Sequence, residues 1–332
     1  MDNNTLFILC VIFVAFIFEF INGFHDAANS IATIVTTGVL TPRQAVLWAA
    51  FFNFIAFLIF NLMVAKTIGS GLIDTSLVDA QLILAALIGA IFWNLVTWYY
   101  GLPSSSSHAL IGGLAGAAIA KGGFSSLKLT GFAKVAIGIV LSPTIGLLVG
   151  LLFTFLLSKL LKRYSEEHLN RLFKGLQLAS SALLSLTHGG NDAQKTMGII
   201  AVLLFSASWL DGEFYVPFWV VISCHAVISL GTLAGGWRIV KTLGIKITKL
   251  NTLKGCAAET GAALTIFVAT DWGIPVSTTH TVTGAVAGVG LFSGLDGAHW
   301  LILRKIFLSW LLTIPASAMV AAAIILFLNR GC

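Results

Sequence analysis

A proline followed by hydroxyl residues and a histidine occurs twice in this sequence, and this pair of motifs decides the fold. The first copy reads Gly-Leu-Pro-Ser-Ser-Ser-Ser-His at 101–108, and the second reads Gly-Ile-Pro-Val-Ser-Thr-Thr-His at 273–280. Each is followed by a Gly-rich and Ala-rich stretch, 109–120 or 281–292, that is shorter than the roughly 20 residues a membrane helix needs. The pattern predicts two half-helices or re-entrant segments.

The chain as a whole has the composition of an integral membrane protein. Of its 332 residues, 58% are hydrophobic and 10% are charged, against about 25% charged in a soluble domain. This composition excludes a water-soluble globule. The net charge is +6, but Lys and Arg cluster between apolar runs as in cytoplasmic loops, so no nucleic-acid partner is expected. Candidate crossing segments, several of them short, are 6–24, 44–65, 81–100, 132–158, 175–188, 197–207, 214–236, 257–270 and 301–328.

The basic clusters predict the orientation of the chain in the membrane. We place the clusters within 159–174 and 238–254 in the cytoplasm, following the positive-inside rule. The acidic loop at 211–213 and both termini then lie outside, and 175–207 becomes one crossing, interrupted at 188–192. The expected location is the inner (plasma) membrane of the cell. Three lysines do not fit, because this topology leaves them outside: Lys121, Lys128 and Lys134.

A second pair of motifs shows that the chain contains an internal repeat. Gly-Phe-His-Asp-Ala-Ala-Asn-Ser at 23–30 recurs as Gly-Gly-Asn-Asp-Ala-Gln-Lys-Thr at 189–196. We predict a first transmembrane repeat at 1–158, a short cytoplasmic basic linker at 159–174 and a second transmembrane repeat at 175–332. Inverted repeats with broken helices are typical of secondary transporters, whose site lies near the midplane. The predicted fold is an all-α polytopic membrane protein with two inverted-topology repeats, broken helices and re-entrant helical hairpins.

Few ionisable residues lie within the apolar stretches, and each is a functional candidate because a charge at the bilayer centre costs about 2.5–3.5 kcal/mol. Asp26 and Asp192 occupy equivalent repeat positions, so we assign them to cation or proton coupling. Glu259 leads into the second hydroxyl motif and is assigned the same role. For Glu19, which has no repeat partner, an ion pair between helices and a functional role are equally supported.

The hydroxyl motifs predict an anion site. Ser and Thr can cap a helix, and the remaining backbone N–H groups at its positive end attract an anion. Two such ends would surround a tetrahedral oxyanion; the alternative is that the hydroxyls only satisfy membrane helix ends. Lys195, which replaces Asn29 of the first copy, could offset the anion's charge. His108 and His280 could relay protons, but a structural role at the hairpins is preferred.

The four motifs together resemble the inorganic phosphate transporter (PiT) family over essentially the whole chain. The matching stretches are 22–29, 188–195 and the two hydroxyl motifs at 101–108 and 273–280. The resemblance implies phosphate symport driven by a cation gradient, and commonly a homodimer. Because Gln194-Lys195 follows the second Asp motif, the chain looks like the bacterial low-affinity permeases, which are proton-linked. The expected coupling ion is H⁺ or Na⁺, or a divalent metal that enters with phosphate; no other cofactor and no resident metal is expected.

The resemblance implies an alternating-access transporter in the lipid bilayer, with its site residues at the matching motif positions. A transporter of another tetrahedral oxyanion such as sulfate remains an alternative. An intramembrane phosphatase is disfavoured because no Arg lies in the four motifs. No catalytic residues are therefore expected. The predicted phosphate-binding residues are Ser105, Ser106, Ser107, Ser277, Thr278, Thr279, Asn29, Asn191 and Lys195. The predicted coupling residues are Asp26, Asp192 and Glu259, with His108 and His280 as gating or structural residues.

Overall fold

Apolar helices dominate the computed structural model, which describes residues 2–210 and 212–330, with side chains to Leu328. In chain order, the helices of this part are α1 (Asn3–Thr36), α2 (Pro42–Ile55), α3 (Met63–Gly71), α4 (Ala80–Tyr100), α5 (Ser106–Gly122), α6 (Leu129–Leu160), α7 (Glu166–Ser206), α8 (Phe218–Ala234), α9 (Trp237–Lys241), α10 (Thr252–Asp271), α11 (Thr278–Leu291) and α12 (Trp300–Arg330). The second half thus repeats the helix order of the first.

Four helices of the described residues, α1, α4, α6 and α12, are long and apolar enough to cross a membrane. Two bent pairs bring this number to six if each pair is one span. The chain bends by 81° between Pro42–Leu58 and Met63–Gly71, and by 63° between Phe218–Ala234 and Trp237–Lys246. These breaks occupy equivalent places in the two halves, so the predicted class of fold, with repeats and broken helices, is confirmed.

The predicted interruption at 188–192 is wrong, because α7 runs through it without a break. The glycines there serve close packing instead. A Cβ atom on Gly189 would lie 2.6 Å from the Asn53 carbonyl oxygen of α2, and one on Gly190 would lie 2.2 Å from the Phe60 ring. Small residues let membrane helices approach closely while their own hydrogen bonds remain intact. The proposed segments 175–188 and 197–207 are therefore parts of one helix.

The region that we predicted as a linker is mostly helical. α6 ends at Leu160 and α7 begins at Glu166, where Ser165 caps the helix by accepting a hydrogen bond from the His168 N–H at 3.4 Å. Only 161–165 connects the two helices, and the rest of 166–174 forms the first turns of α7.

The two predicted half-helices, α5 and α11, follow tight turns. Gly101 at the end of α4 has φ of 63°, and Gly273 after α10 has φ of 67°, in the left-handed region that glycine adopts without strain. α5 packs on α12, and α11 packs on α6, so each short helix contacts the last helix of the opposite half. α1 and α7 contact each other between these hairpins. This interleaving brings both hydroxyl motifs toward the centre.

Close backbone contact between α5 and α12 depends on Gly116, since a Cβ atom there would lie 2.1 Å from the Ala318 carbonyl oxygen. We expect Gly116→Ala to lower the free energy of unfolding by about 1–3 kcal/mol, as overpacking does elsewhere. The matched control is Gly138→Ala on α6, where no atom lies within 4 Å of the added methyl group. Thermal unfolding in detergent measures both variants, and equal midpoints would contradict this packing.

Candidate substrate and ion site

The polar motifs of α1 and α7 lie inside continuous helices and face each other. Asp26 and Asn29 are three residues apart on α1, as are Asp192 and Lys195 on α7, and this spacing places each pair on one helix face. All four side chains are at most 2% exposed. A membrane protein retains such buried polar groups where they bind something or each other.

Lys195 connects α7 to both hairpins. Its ammonium group pairs with the Asp192 carboxylate and donates to the Ser107 hydroxyl of α5. It also donates to the Val276 carbonyl oxygen, before α11, at 3.0 Å. One cation therefore joins the second Asp motif to both hydroxyl motifs.

The second hydroxyl motif bridges the two carboxylates. Thr278 donates to Asp192 at 3.0 Å, and Thr279 donates to Asp26 at 3.3 Å. The Asn29 amide donates to both threonine hydroxyls, at 3.3 and 3.0 Å. The structure thus brings together side chains from all four motifs.

The two half-helices start at this network, and their caps use two of the predicted donors. Ser105 accepts a hydrogen bond from the His108 N–H at 3.2 Å, and Ser277 accepts one from the His280 N–H at 3.1 Å. These two hydroxyls serve their own helices. The Ser106 hydroxyl, in contrast, forms no hydrogen bond within the described part of the chain.

Two buried amide oxygens next to the network also have no hydrogen-bond partner among the described residues. They are Oδ1 of Asn29 and Oδ1 of Asn191, whose amide nitrogen donates to Thr270 at 2.7 Å. Buried polar atoms are nearly always paired, so unpaired atoms on the residues of these motifs are candidates to contact a bound group. An ion or substrate at this position would supply the missing partners.

Asp26, His188 and Asp192 form a group that could hold a metal ion, because one ligand atom from each lies within 4.8 Å of the others. Nε2 of His188 is 3.2 Å from the Asp192 carboxylate, and Nδ1 is 3.2 Å from Oδ1 of Asn53. Carboxylate oxygen and imidazole nitrogen suit several divalent cations. His188 was not predicted as a ligand, although its spacing of four residues from Asp192 places both on one face.

Glu259 lies in a separate hydrogen-bond group. Its carboxylate accepts hydrogen bonds from Thr33 on α1, from Gln177 at 3.0 Å and from Ser180, both on α7. No hydrogen bond joins its carboxylate to the Asp26–Asp192 network in the residues described. These three partners were not predicted, although polar residues every three or four positions along α1 and α7 indicate a shared polar face.

The two predicted gating or structural histidines touch each other where the hairpins meet. The ring centres of His108 and His280 are 4.7 Å apart. His280 also stacks on Trp310 of α12, with 3.8 Å between the ring centres. Both rings are buried. The contact joins equivalent residues of the two repeats.

Half-helix ends and buried charges meet here between the two halves of a helical membrane protein, an arrangement that is typical of transporters. The sequence pattern of the phosphate transporter family matches twice, at 22–169 and 162–321. The chain belongs to the phosphate transporter family, as the four motifs predicted.

Individual relatives agree with this assignment. The chain is 58% identical over 324 residues to a probable low-affinity inorganic phosphate transporter of Rhizobium meliloti, covering 97% of each protein. It is 42% identical over 331 residues to one of Bacillus subtilis, covering 99% of each. The solved structure of a sodium-dependent phosphate transporter superposes with a TM-score of 0.89 at 27% identity, over 98% of this chain and 99% of that one. The family consists of transporters, so this chain is not an enzyme.

Proposed function

We propose that this protein imports inorganic phosphate by symport with a cation, through alternating access around one central site. The observation that carries the proposal is that hydroxyl groups from both repeats, Ser107 and Thr278, meet at the Asp192–Lys195 ion pair. The positive ends of α5 and α11 start at the same place and favour an anion. Of the predicted phosphate ligands, Ser106 and the two Asn side chains have atoms free for a substrate.

The acceptors at the site favour phosphate over sulfate. Phosphate at neutral pH carries at least one O–H group and can donate hydrogen bonds, whereas sulfate cannot. Carboxylates of Asp26 and Asp192 and the free oxygens of Asn29 and Asn191 would accept from phosphate. Against sulfate the same atoms would be unpaired or repulsive, and unpaired buried groups cost about 1–3 kcal/mol each.

A cation has to accompany the anion because the site is already negative. Lys195 offsets Asp192, but Asp26 forms its one ion pair among the described residues with His25, which is charged only if protonated. Phosphate adds further negative charge. We therefore assign coupling to H⁺ or Na⁺ at Asp26 and Asp192, or to a divalent metal bound with phosphate at Asp26, His188 and Asp192. The structural relative is sodium-dependent, which supports Na⁺ as one of these candidates.

The orientation, the repeat boundaries and the assembly are parts of the same proposal. Basic residues in the last turns of α6 and α9, which the positive-inside rule assigns to the cytoplasm, support an inner (plasma) membrane protein with both termini outside. The repeats span 1–158 and 175–332.

The most apolar stretches of α6 and α12 are only 28% and 22% buried, so these helices would face lipid or the second copy of a homodimer. Glu259 accepts a hydrogen bond from Thr33, which lies one turn after Asn29 on α1, and at this position it would bind or release the coupling ion.

Labelled phosphate uptake into proteoliposomes tests the proposal. We expect an imposed H⁺ or Na⁺ gradient to drive uptake, and an excess of unlabelled phosphate, but not of sulfate, to compete. Added divalent cation should raise uptake if a metal–phosphate complex is the substrate. Uptake that ignores both gradients would refute symport, and equal competition by sulfate would refute the assignment of the substrate.

A further inference from the structure

A buried carboxyl group lies outside the network described above, two turns before Asp26 on α1. Glu19 is 0% exposed, and the Thr196 hydroxyl of α7 donates to its Oε2. The Asn22 amide donates weakly to the same oxygen, at 3.4 Å. Oε1 of Glu19 and Oδ1 of Asn22 make no hydrogen bond to the residues described. One side of this carboxyl group is therefore without a partner.

No Lys, Arg or His forms an ion pair with Glu19 in the described part of the chain. The charged or titratable groups close enough to interact with its charge are Asp192 and Lys195 from α7 and the Cys224 thiol from α8. A membrane interior makes an unpaired carboxylate costly. Oε1 is therefore the place where a bound cation or proton would stabilise this carboxyl group.

A proton at Oε1 provides this stabilisation with the geometry present. It neutralises Glu19 and makes Oε1 a donor, for which the free Oδ1 of neighbouring Asn22 is an acceptor. Oε2 continues to accept from Thr196. A hard cation takes about six oxygen ligands, whereas the unpaired oxygens at this place among the described residues are Oε1 of Glu19 and Oδ1 of Asn22.

Glu19 is also connected to the central site. Thr196, which bonds Glu19, directly follows Lys195 in α7. In the repeat, Glu19 corresponds to Ser185, whose hydroxyl donates to its own helix, and Lys195 corresponds to Asn29. The first half therefore has an acid where the second has a hydroxyl, and the second has a base where the first has an amide.

We propose that Glu19 is a proton-binding site that takes up one proton with each phosphate and releases it on the other side of the membrane. The proposal rests on the symport function above and names a carrier for it. A proton moves from water to Oε1 and back to water, and no other bond changes. A phosphate anion near Lys195 raises the proton affinity of Glu19, and a protonated Glu19 raises the phosphate affinity by the same factor.

Counting protons per phosphate tests the assignment. A pH-sensitive dye inside proteoliposomes reports proton entry while labelled phosphate reports uptake. We expect Glu19→Gln to carry one proton fewer per phosphate than the wild type. Glu19→Asp, which keeps the carboxyl group, and Glu167→Gln, at an exposed residue of α7, should keep the wild-type count. An unchanged count in Glu19→Gln would overturn the proposal.

A second measurement does not require transport. Phosphate added to the purified wild type should produce the infrared carbonyl band of a protonated carboxyl group. This band should be absent from Glu19→Gln and shifted in Glu19→Asp. The control Glu167→Gln should retain it. A band that persists in Glu19→Gln would overturn the assignment, as would a selective loss of sodium-driven uptake in that variant at constant pH. If the wild type takes up no phosphate at all, it is the proposed function that fails.

Discussion

Replacing Lys195 by methionine is expected to reduce phosphate uptake by about 100-fold or more. Lys195 pairs with Asp192 and donates to Ser107 and to the Val276 carbonyl group. Its loss leaves a buried carboxylate without a cation, and breaking such a pair costs about 3–5 kcal/mol. It also removes the fixed positive charge of Lys195, which in our proposal attracts the phosphate anion. Uptake by purified protein in liposomes, together with thermal unfolding in detergent, measures both consequences.

The controls separate folding from substrate binding. Lys159→Met, at the exposed end of α6, should leave uptake and stability within the error of the wild type. The double variant Lys195→Met with Asp192→Asn removes both charges, so we expect it to recover much of the lost stability. Uptake should nevertheless remain low, because the anion has lost its cation. Uptake within twofold of the wild type in Lys195→Met would contradict the proposed role.

Replacing Asp26 by asparagine is expected to reduce gradient-driven phosphate uptake by about 10–100-fold. Hydrogen bonds to a charged group contribute about 1.5–3 kcal/mol, and about 1.4 kcal/mol corresponds to a factor of ten. Asparagine keeps the size of the side chain and can still accept from Thr279, but it cannot attract a cation. Initial uptake rates with and without an imposed gradient provide the measurement. The loss should be largest with the gradient present.

The matched control for this variant is Asp296→Asn, at an exposed residue in a short helical turn. It should behave as the wild type. If Asp26→Asn responds to the H⁺ and Na⁺ gradients as strongly as the wild type, Asp26 does not bind the coupling ion. A loss of phosphate exchange equal to the loss of driven uptake would instead make Asp26 a phosphate ligand.

The sequence predicted the parts of the fold that depend on local chemistry. The Gly and Pro turns at 101–103 and 273–275 and the short apolar runs after them predicted α5 and α11, and the repeat predicted their matching roles. It did not predict a continuous α7. Two adjacent glycines next to polar residues are typical of a break, and only the contacts with Asn53 and Phe60 show why the helix continues there.

The candidate site was predicted in its residue types more than in its contacts. Hydroxyls, carboxylates and one lysine were expected to converge, and Lys195, Asp192 and Thr278 do form one network. The separate position of Glu259, in contrast, depends on which helix faces meet. The contact between Glu19 and Thr196 has the same origin, because no motif within either helix specifies how α1 lies against α7.

Locating a bound oxyanion tests the central claim most directly. Arsenate has the geometry of phosphate, and its arsenic atom can be located by anomalous diffraction from crystals of the protein in a lipid phase. We predict one strong peak between the N-terminal ends of α5 and α11, within hydrogen-bonding reach of Ser107, Thr278 and Lys195, which excess phosphate removes. A peak elsewhere that phosphate also removes, with no density between the two helix ends, would contradict the account.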